Sequence, residues 1–239
     1  MINFRAIPSL ILRNNNFVKG QRFKNHNYVG DPRNIIKIFN DKDVDEILVV
    51  NPFLNHLSDE SLLFLSKVLS HCFLPVTYGG GIKTIKDVEY LNRIGVEKYL
   101  FKLTNDFDLR LLKKVSDIKG QQSVVLHVPF FEINNKIALK KEIFRRKYLD
   151  LDILKDVSQN VGEIVFTDIN NEGLRNGSNN IDLISSIVDL VACPVLFQGG
   201  IRNSSDLESL KEKNFSGALL GAAYIFAGSK NSVNIGYFR

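Results

Sequence analysis

The sequence predicts a (β/α)8 barrel that occupies residues 1–239 as a single domain and carries the mark of a half-barrel duplication. Short apolar, β-branched segments alternate with amphipathic segments of about ten residues, which is typical of parallel strands joined by right-handed helical crossovers. One strand-and-glycine motif occurs twice, as VTYGGGI at 76–82 and VLFQGGI at 195–201, 119 residues apart. A length close to 250 residues is also typical of such barrels.

The first half of the chain predicts five strands and four helices. A long polar loop is expected from the end of the first strand through Gly30. Asp31 and Pro32 then supply a cap and a proline at the first helical position. The strands are predicted at 4–12, 46–50, 75–78, 98–103 and 123–128, and the helices at 31–40, 58–70, 84–94 and 107–118.

The second half predicts three more strands and three helices after an irregular stretch. Residues 129–149 form an irregular excursion rich in Lys, Arg and Phe. Either a small hairpin or a helix is compatible with this stretch. A polar loop is expected at 168–179. The helices are predicted at 151–161, 180–191 and 204–213, and the strands at 163–167, 194–197 and 217–220. Functional residues of such a barrel are expected at the carboxyl ends of its strands.

Composition narrows the function classes. No run approaches the roughly 18 apolar residues that a membrane span needs, and the first residues lack the layout of a secretory signal. The two cysteines, Cys72 and Cys193, predict buried thiols in a reducing cytoplasm, with no metal site and no cofactor. The net charge of +5 is mild, and its densest cluster, at 140–147, lacks the interleaved aromatic residues of a nucleic-acid surface.

The two glycine turns indicate phosphate binding. A glycine turn between a strand and a helix lets backbone N–H groups approach an anion without side chains in the way. Two such turns half a chain apart therefore predict a phosphorylated small molecule with two phosphates, although two ordinary strand–helix turns are the alternative.

Motifs along nearly the whole chain resemble the cyclase subunit of imidazole glycerol phosphate synthase, HisF. They are RAIP at 5–8, FVKG at 17–20, GDP at 30–32, the acidic pair at 45–46, both glycine turns, GEI at 162–164 and the Gly221-Ala222 turn. Three further features look similar to the WbuZ-type branch, HisF-like proteins associated with sugar amidation in surface-polysaccharide synthesis. These are RNNNFVKGQRFKNHNYV at 13–29, IFNDKDVDE at 38–46 and SVNIGY at 232–237.

The resemblance implies chemistry that this chain has lost. HisF uses ammonia from a glutaminase to split a bis-phosphorylated substrate, with two aspartates as general acid and base at the ends of strands one and five. The matching positions here are Ile11 and Pro129, which cannot transfer protons. His127 is the nearest titratable replacement, although a hydrogen-bonded core histidine is the alternative. Lys19 matches a loop lysine of the family, so it is either functional or simply solvated.

The resemblance also implies features that are retained. A gate for ammonia at the amino-terminal mouth of the barrel matches Arg5, Glu46, Lys98 and Glu163, although charged residues at strand starts also commonly face water. Glu97 matches an acidic position at the glutaminase interface. The phosphate sites match Gly80, Gly81 and Thr104 in one half of the barrel, and Gly173, Gly199, Gly200, Gly221 and Ala222 in the other.

Three functions remain open on these grounds. The first is an ammonia-channelling subunit paired with a HisH-like glutaminase and supplying an N-sugar amidotransferase of lipopolysaccharide synthesis. The second is a divergent cyclase of histidine biosynthesis, a lyase that would use His127. The third is an inactive barrel that binds a phosphorylated metabolite.

Overall fold

A computed structural model of the chain describes residues 4–42, 44–104, 107–139, 148–177, 179–227, 232–233 and 235. The strands are β1 (Arg5–Arg13), β2 (Asn16–Gln21), β3 (Lys24–Gly30), β4 (Ile47–Val50), β5 (Val76–Gly79), β6 (Lys98–Lys102), β7 (Val124–Ile133), β8 (Lys136–Ala138), β9 (Glu163–Asp168), β10 (Val195–Gln198), β11 (Gly217–Leu220), β12 (Phe226–Ala227) and β13 (Ser232–Val233). The α-helices are α1 (Pro32–Asn40), α2 (Asp59–Leu69), α3 (Ile85–Arg93), α4 (Leu109–Lys119), α5 (Leu151–Ser158), α6 (Ile181–Val188), α7 (Ser204–Glu212) and α8 (Ala222–Ile225).

Eight of these strands form the closed parallel barrel that the alternating pattern predicts. Their order is β1, β4, β5, β6, β7, β9, β10 and β11, and β11 pairs with β1 to close the ring. Apolar faces of the helices pack against the outside of the strands and form the main core. No helix among the described residues is long and apolar enough to cross a membrane.

The two glycine turns adopt the same backbone conformation. Gly80 and Gly81 have φ angles of 125° and 71°, and Gly199 and Gly200 have 124° and 75°. Only glycine occupies these conformations without strain. The preceding strands and following helices also match in length, because β5 and β10 have four residues each and α3 and α7 have nine.

The helices after the two turns begin with the same capping arrangement. The side chain of Thr84 caps α3 and that of Asn203 caps α7, and each receives the backbone N–H of an aspartate at the third helical position. The carboxylates of Asp87 and Asp206 reach back to the backbone N–H groups of the two residues before the helix. The half-chain repeat seen in the sequence is therefore a repeat of backbone geometry.

The segment after the first strand is a β-hairpin, so the prediction of a long polar loop through Gly30 was wrong. β1 continues past the barrel to a turn at Asn14 and Asn15, after which β2 pairs antiparallel with β1, and β3 pairs antiparallel with β2. Both asparagines have positive φ, which asparagine tolerates better than most residues. The exposed, polar face of β3 hid the strand alternation. We call β2, β3 and their turn the β2–β3 hairpin.

A second hairpin follows in the other half of the barrel. β7 runs through Pro129 to a turn at Asn134 and Asn135, and β8 pairs back against it. The hairpin alternative for the excursion is thus confirmed as far as residue 139, while the basic cluster at 140–147 lies outside the described residues. Of the terminal motif at 232–237, only residues 232, 233 and 235 are described.

Candidate functional site

The candidate site is the barrel lumen, and strand alternation divides it into layers. Side chains two residues apart on a strand point to the same face. Starting at the amino ends of the strands, the lumen holds a charged ring, then an apolar layer, then a polar layer.

Four side chains form a closed ring of ion pairs at the amino-terminal mouth, which we call the mouth ring. Arg5 bonds Glu46 at 2.9 Å and Glu163 at 2.6 Å. Lys98 bonds the same two carboxylates at 2.7 Å and 3.1 Å. Each cation therefore touches both anions. The structure brings together all four residues that the sequence assigned to the gate.

The hydroxyl group of Thr77 adds a hydrogen bond that the sequence did not reveal. It donates to the second carboxylate oxygen of Glu46 at 2.5 Å, so both oxygens of that buried group are engaged. Buried charges are tolerated when they are paired and fully hydrogen-bonded. The ring can therefore persist in the barrel mouth.

An apolar layer follows directly inside the mouth ring. It consists of seven buried side chains from seven strands: Ile7, Leu48, Leu100, Val125, Val165, Leu196 and Leu219. Each of the four ring residues lies two positions before one member of this layer. A charged species would lose its hydration here without gaining a partner.

A polar layer lies two residues further along the strands. Gln198 donates to the hydroxyl of Ser9 at 3.3 Å and accepts from the hydroxyl of Thr167 at 3.0 Å. Nε2 of His127 lies 2.8 Å from the same Thr167 oxygen. If Thr167 donates to Gln198, it accepts from Nε2–H, which leaves Nδ1 of His127 as an acceptor. Lys102 occupies the corresponding position on β6.

His127 faces the lumen and is hydrogen-bonded. Burial, together with the positive charge of Lys102, lowers the pKa of His127 to about 3. An imidazole with so low a pKa is neutral at physiological pH and is a weak proton acceptor. These properties match a hydrogen-bonded core histidine better than a general base.

The positions that the resemblance matches to a general acid and base lie one layer above. Ile11 is buried where β1 leaves the barrel, between Val50 of β4 and Val18 of the hairpin. Pro129 is buried on β7 beside Thr167. Neither side chain can exchange a proton.

Lys19 is buried in the β2–β3 hairpin, which decides against the solvated reading of this residue. Its side chain is 2% exposed and forms an ion pair with Glu172, which is 1% exposed. The second oxygen of Glu172 accepts the backbone N–H of Phe23 at 3.1 Å. Glu172 lies in the loop after β9, so the pair fastens the hairpin over the carboxyl-terminal mouth. The pattern of the sequence gave no sign of this partner.

Five glycine-turn positions assigned to one phosphate site line a single cavity of about 20 Å³ together with Lys19 and Glu172. They are Gly173, Gly199, Gly200, Gly221 and Ala222. The space is about that needed for one water molecule. The Lys19 ammonium lies so close to Gly221 that a Cβ there would be 2.5 Å from it. A phosphate would therefore have to displace the ion pair.

The other proposed phosphate residues are arranged differently. A Cβ on Gly80 would lie 2.2 Å from the carbonyl oxygen of Asn51, and one on Gly81 would lie 2.9 Å from the backbone of His56. These glycines are thus required for close backbone packing. Thr104 lies past the end of β6, where its carbonyl oxygen accepts the backbone N–H of Phe107.

Glu97 is exposed beside the mouth ring, at the start of β6. Its backbone N–H bonds the carbonyl oxygen of Val76 on β5 at 2.9 Å. This placement puts its carboxylate on the amino-terminal face of the barrel, where the sequence assigned a protein interface.

Comparison with known proteins agrees with this geometry. Residues 5–229 match the family profile described as "Histidine biosynthesis protein". A Pseudomonas aeruginosa protein provisionally named imidazole glycerol phosphate synthase subunit hisF2 is 33% identical over 99% of this chain and 96% of its own length. A Vibrio vulnificus protein, provisionally named subunit hisF3, is 30% identical over 99% of this chain and 94% of its own length. A Leptospira borgpetersenii protein, provisionally named subunit HisF, is 28% identical over 99% of this chain and 96% of its own length.

Proposed function

The chain belongs to the histidine biosynthesis family, in its HisF-like part, and we propose that it is the ammonia-conducting subunit of a glutamine amidotransferase complex. In this proposal a HisH-like glutaminase docks on the amino-terminal face and releases ammonia at the mouth ring. The ammonia crosses the lumen to an acceptor at the other end. The protein's own cyclase chemistry is absent or very slow.

The observation that carries the proposal is the closed mouth ring, and the side chains that match the family's acid and base, near the opposite end of the barrel, support it. Arg5 and Lys98 each bridge Glu46 and Glu163, so the arrangement is built from four long-range contacts. Ile11 and Pro129 occupy the positions where proton transfer would occur. Losing one essential acid or base typically costs a factor of about 10² to 10⁴ in rate.

The apolar layer supports conduction of neutral ammonia. Desolvating an ammonium ion among aliphatic side chains costs far more than desolvating NH3. The layer begins two residues beyond the ring, for example at Ile7 after Arg5 and at Leu100 after Lys98. A transient opening of one ring contact would admit NH3, which then meets hydrogen-bonding groups again at Ser9, Gln198 and His127.

We further propose that the acceptor is an N-sugar amidotransferase, which converts a sugar acetamido group to an acetamidino group. The reaction would take place in the cytoplasm, and the sugar would become part of a surface polysaccharide. Support for this acceptor comes from the WbuZ-like motifs at 13–29, 38–46 and 232–237. The cavity at Gly199, Gly200 and Gly221 would then be an inherited phosphate cradle whose space Lys19 and Glu172 now occupy.

The test is stimulation of the glutaminase. Mixing the purified protein with a HisH-type glutaminase from the same genome should form a complex and raise glutamine hydrolysis severalfold. Lys98→Glu, which places a third carboxylate against Glu46 and Glu163, should disrupt ammonia transfer to the acceptor. The absence of both a complex and stimulation would overturn the proposal.

A divergent cyclase is the second candidate, favoured by the names of the relatives. Turnover of the bis-phosphorylated precursor of imidazole glycerol phosphate, with ammonium salts as the nitrogen source, would establish cyclase activity. His127→Gln should then abolish that activity. The low pKa of His127 argues against this outcome. A third candidate, a barrel that binds a phosphorylated metabolite without a glutaminase, predicts that Lys98→Glu leaves metabolite affinity unchanged.

A further inference from the structure

The amino-terminal face carries a highly exposed aromatic residue. Phe73 is 86% exposed, more than any other large hydrophobic side chain that the structure describes; the next is Tyr28, at 63%. Phe73 lies in the loop between α2 and β5, three residues before Val76. It therefore lies at the same end of the barrel as the mouth ring.

The loop holds Phe73 in a fixed position. The side chain of Asn40, at the end of α1, donates to the carbonyl oxygen of His71 at 2.8 Å and accepts the backbone N–H of Phe73 at 3.1 Å. The backbone N–H of Cys72 bonds the carbonyl oxygen of Leu69 at 2.8 Å. A single exposed apolar side chain is ordinary, but one whose backbone is clamped from a neighbouring helix is already ordered for binding.

Two exposed carboxylates lie on the same face of the barrel as Phe73, each directly before a residue of the mouth ring. Glu97 is exposed directly before Lys98, and its backbone N–H bonds the carbonyl oxygen of Val76, at the start of the strand that follows the Phe73 loop. Asp45 is exposed directly before Glu46. The face thus combines one apolar projection with two carboxylates beside the entrance to the lumen.

We propose that Phe73 is the apolar anchor of the glutaminase docking face and inserts into an apolar pocket of that subunit with a basic rim that meets Asp45 and Glu97. The inference rests on the proposed function. Rigid aromatic side chains that enter a pocket on the partner commonly dominate the affinity of an interface. Anchoring beside the ring would hold the two subunits in register around the path of ammonia.

The experiment measures the dissociation constant for a HisH-type glutaminase from the same genome by calorimetry. Phe73→Ser should weaken binding about tenfold to a hundredfold, and Glu97→Lys should weaken it less. Leu63→Ser is the matched control, because Leu63 is 54% exposed on the outer side of α2, more than one turn before the loop. The dissociation constant of Leu63→Ser should stay within about twofold of that of the unaltered protein. The unfolding temperatures of all these variants should remain unchanged.

Phe73→Leu separates loss of the anchor from distortion of the loop. It keeps an apolar group and should bind within a few-fold of the original protein. Equal losses for the leucine and serine variants, or no loss for serine, would overturn the anchor. If the unaltered protein binds and stimulates the glutaminase and Phe73→Ser does so equally well, the role of Phe73 as an anchor is rejected and the proposed function stands. If the unaltered protein does neither, the proposed function itself fails.

Discussion

Lys19 and Glu172 form a buried ion pair that joins two segments 153 positions apart. Lys19 belongs to the β2–β3 hairpin and Glu172 to the loop after β9. A second contact parallels it, because the backbone N–H of Arg22 bonds the carbonyl oxygen of Glu172 at 2.9 Å. The side chain of Arg22 also donates to the carbonyl oxygen of Asn170 at 2.9 Å, so the loop after β9 fastens the hairpin across the carboxyl-terminal mouth.

Glu172→Gln should loosen the hairpin without unfolding the barrel. The change leaves the Lys19 ammonium buried without a carboxylate, and removing one partner of such a pair typically costs about 3–5 kcal/mol. Since the hairpin lies at the rim, its opening limits that cost. Hydrogen exchange should become faster in residues 14–30 and stay unchanged in β4 and β5.

The double variant Lys19→Met/Glu172→Met provides the control. Apolar side chains of similar size remove both charges together, which is often close to neutral for stability. Hydrogen exchange in the hairpin should then be slower than in Glu172→Gln. Faster exchange in the double variant than in the single one would show that packing, and not the unpaired charge, governs the hairpin.

His127 should make the folded protein sensitive to mild acid. Burial lowers the pKa of His127 from 6.5 to about 3 in the folded state. Between these values the unfolded chain binds more protons, so the free energy of unfolding falls as the pH decreases through this range and is highest above 6.5. The positive charge of Lys102 acts in the same direction.

Urea unfolding at about pH 7 and about pH 4.5 measures this dependence. His127→Gln keeps an N–H donor towards Thr167 but cannot titrate, so it should lose less stability between the two conditions than the original protein. The imidazole signals of His127 should also stay constant in NMR spectra from about pH 5 to pH 8. A titration in that range would contradict the assignment.

The barrel could be predicted from strand periodicity, whereas the four residues of the mouth ring came from the resemblance to HisF. Arg5, Glu46, Lys98 and Glu163 each lie at the start of an apolar strand, which is consistent with either a ring or charges that face water. The polar layer was missed, although counting two residues on from the apolar layer leads to Ser9, Thr167 and Gln198. The partners of Lys19 and Phe73 lie in other segments, Glu172 and Asn40, and no local pattern encodes such contacts.

Gly80 and Gly95 should differ sharply in their tolerance of alanine. Both have positive φ, 125° and 96°, so each alanine variant pays a backbone cost of about 1 kcal/mol or more. Only at Gly80 would the new Cβ also meet a backbone oxygen, that of Asn51, at 2.2 Å, whereas nothing lies within 4 Å at Gly95.

Gly80→Ala should therefore lose at least about 2 kcal/mol more than Gly95→Ala in urea unfolding, by analogy with the cost of overpacking a core. Equal losses would mean that the strand–turn junction at Gly80 can shift at little cost. In that case close packing would not explain glycine at this position.

The mouth ring should show strong coupling between its two cations. Arg5→Met leaves Glu46 and Glu163 bonded to Lys98, and Lys98→Met leaves both bonded to Arg5. The double variant leaves two carboxylates without a cation. Its loss of stability should exceed the sum of the single losses by about 1–3 kcal/mol in a double-mutant cycle. Additive losses would show that the cations act independently.

Gly221→Ala should test the contact between the hairpin and the glycine-turn cavity. Gly221 has a negative φ, −98°, and the nearest obstacle to its Cβ is the Lys19 ammonium at 2.5 Å. The flexible lysine can move away, so the barrel should keep its stability while the pair with Glu172 is disturbed. Hydrogen exchange of residues 14–30 should rise as it does in Glu172→Gln, and combining the two changes should add little because both act on one ion pair. Full additivity would mean that Gly221 affects the hairpin by a route other than Lys19.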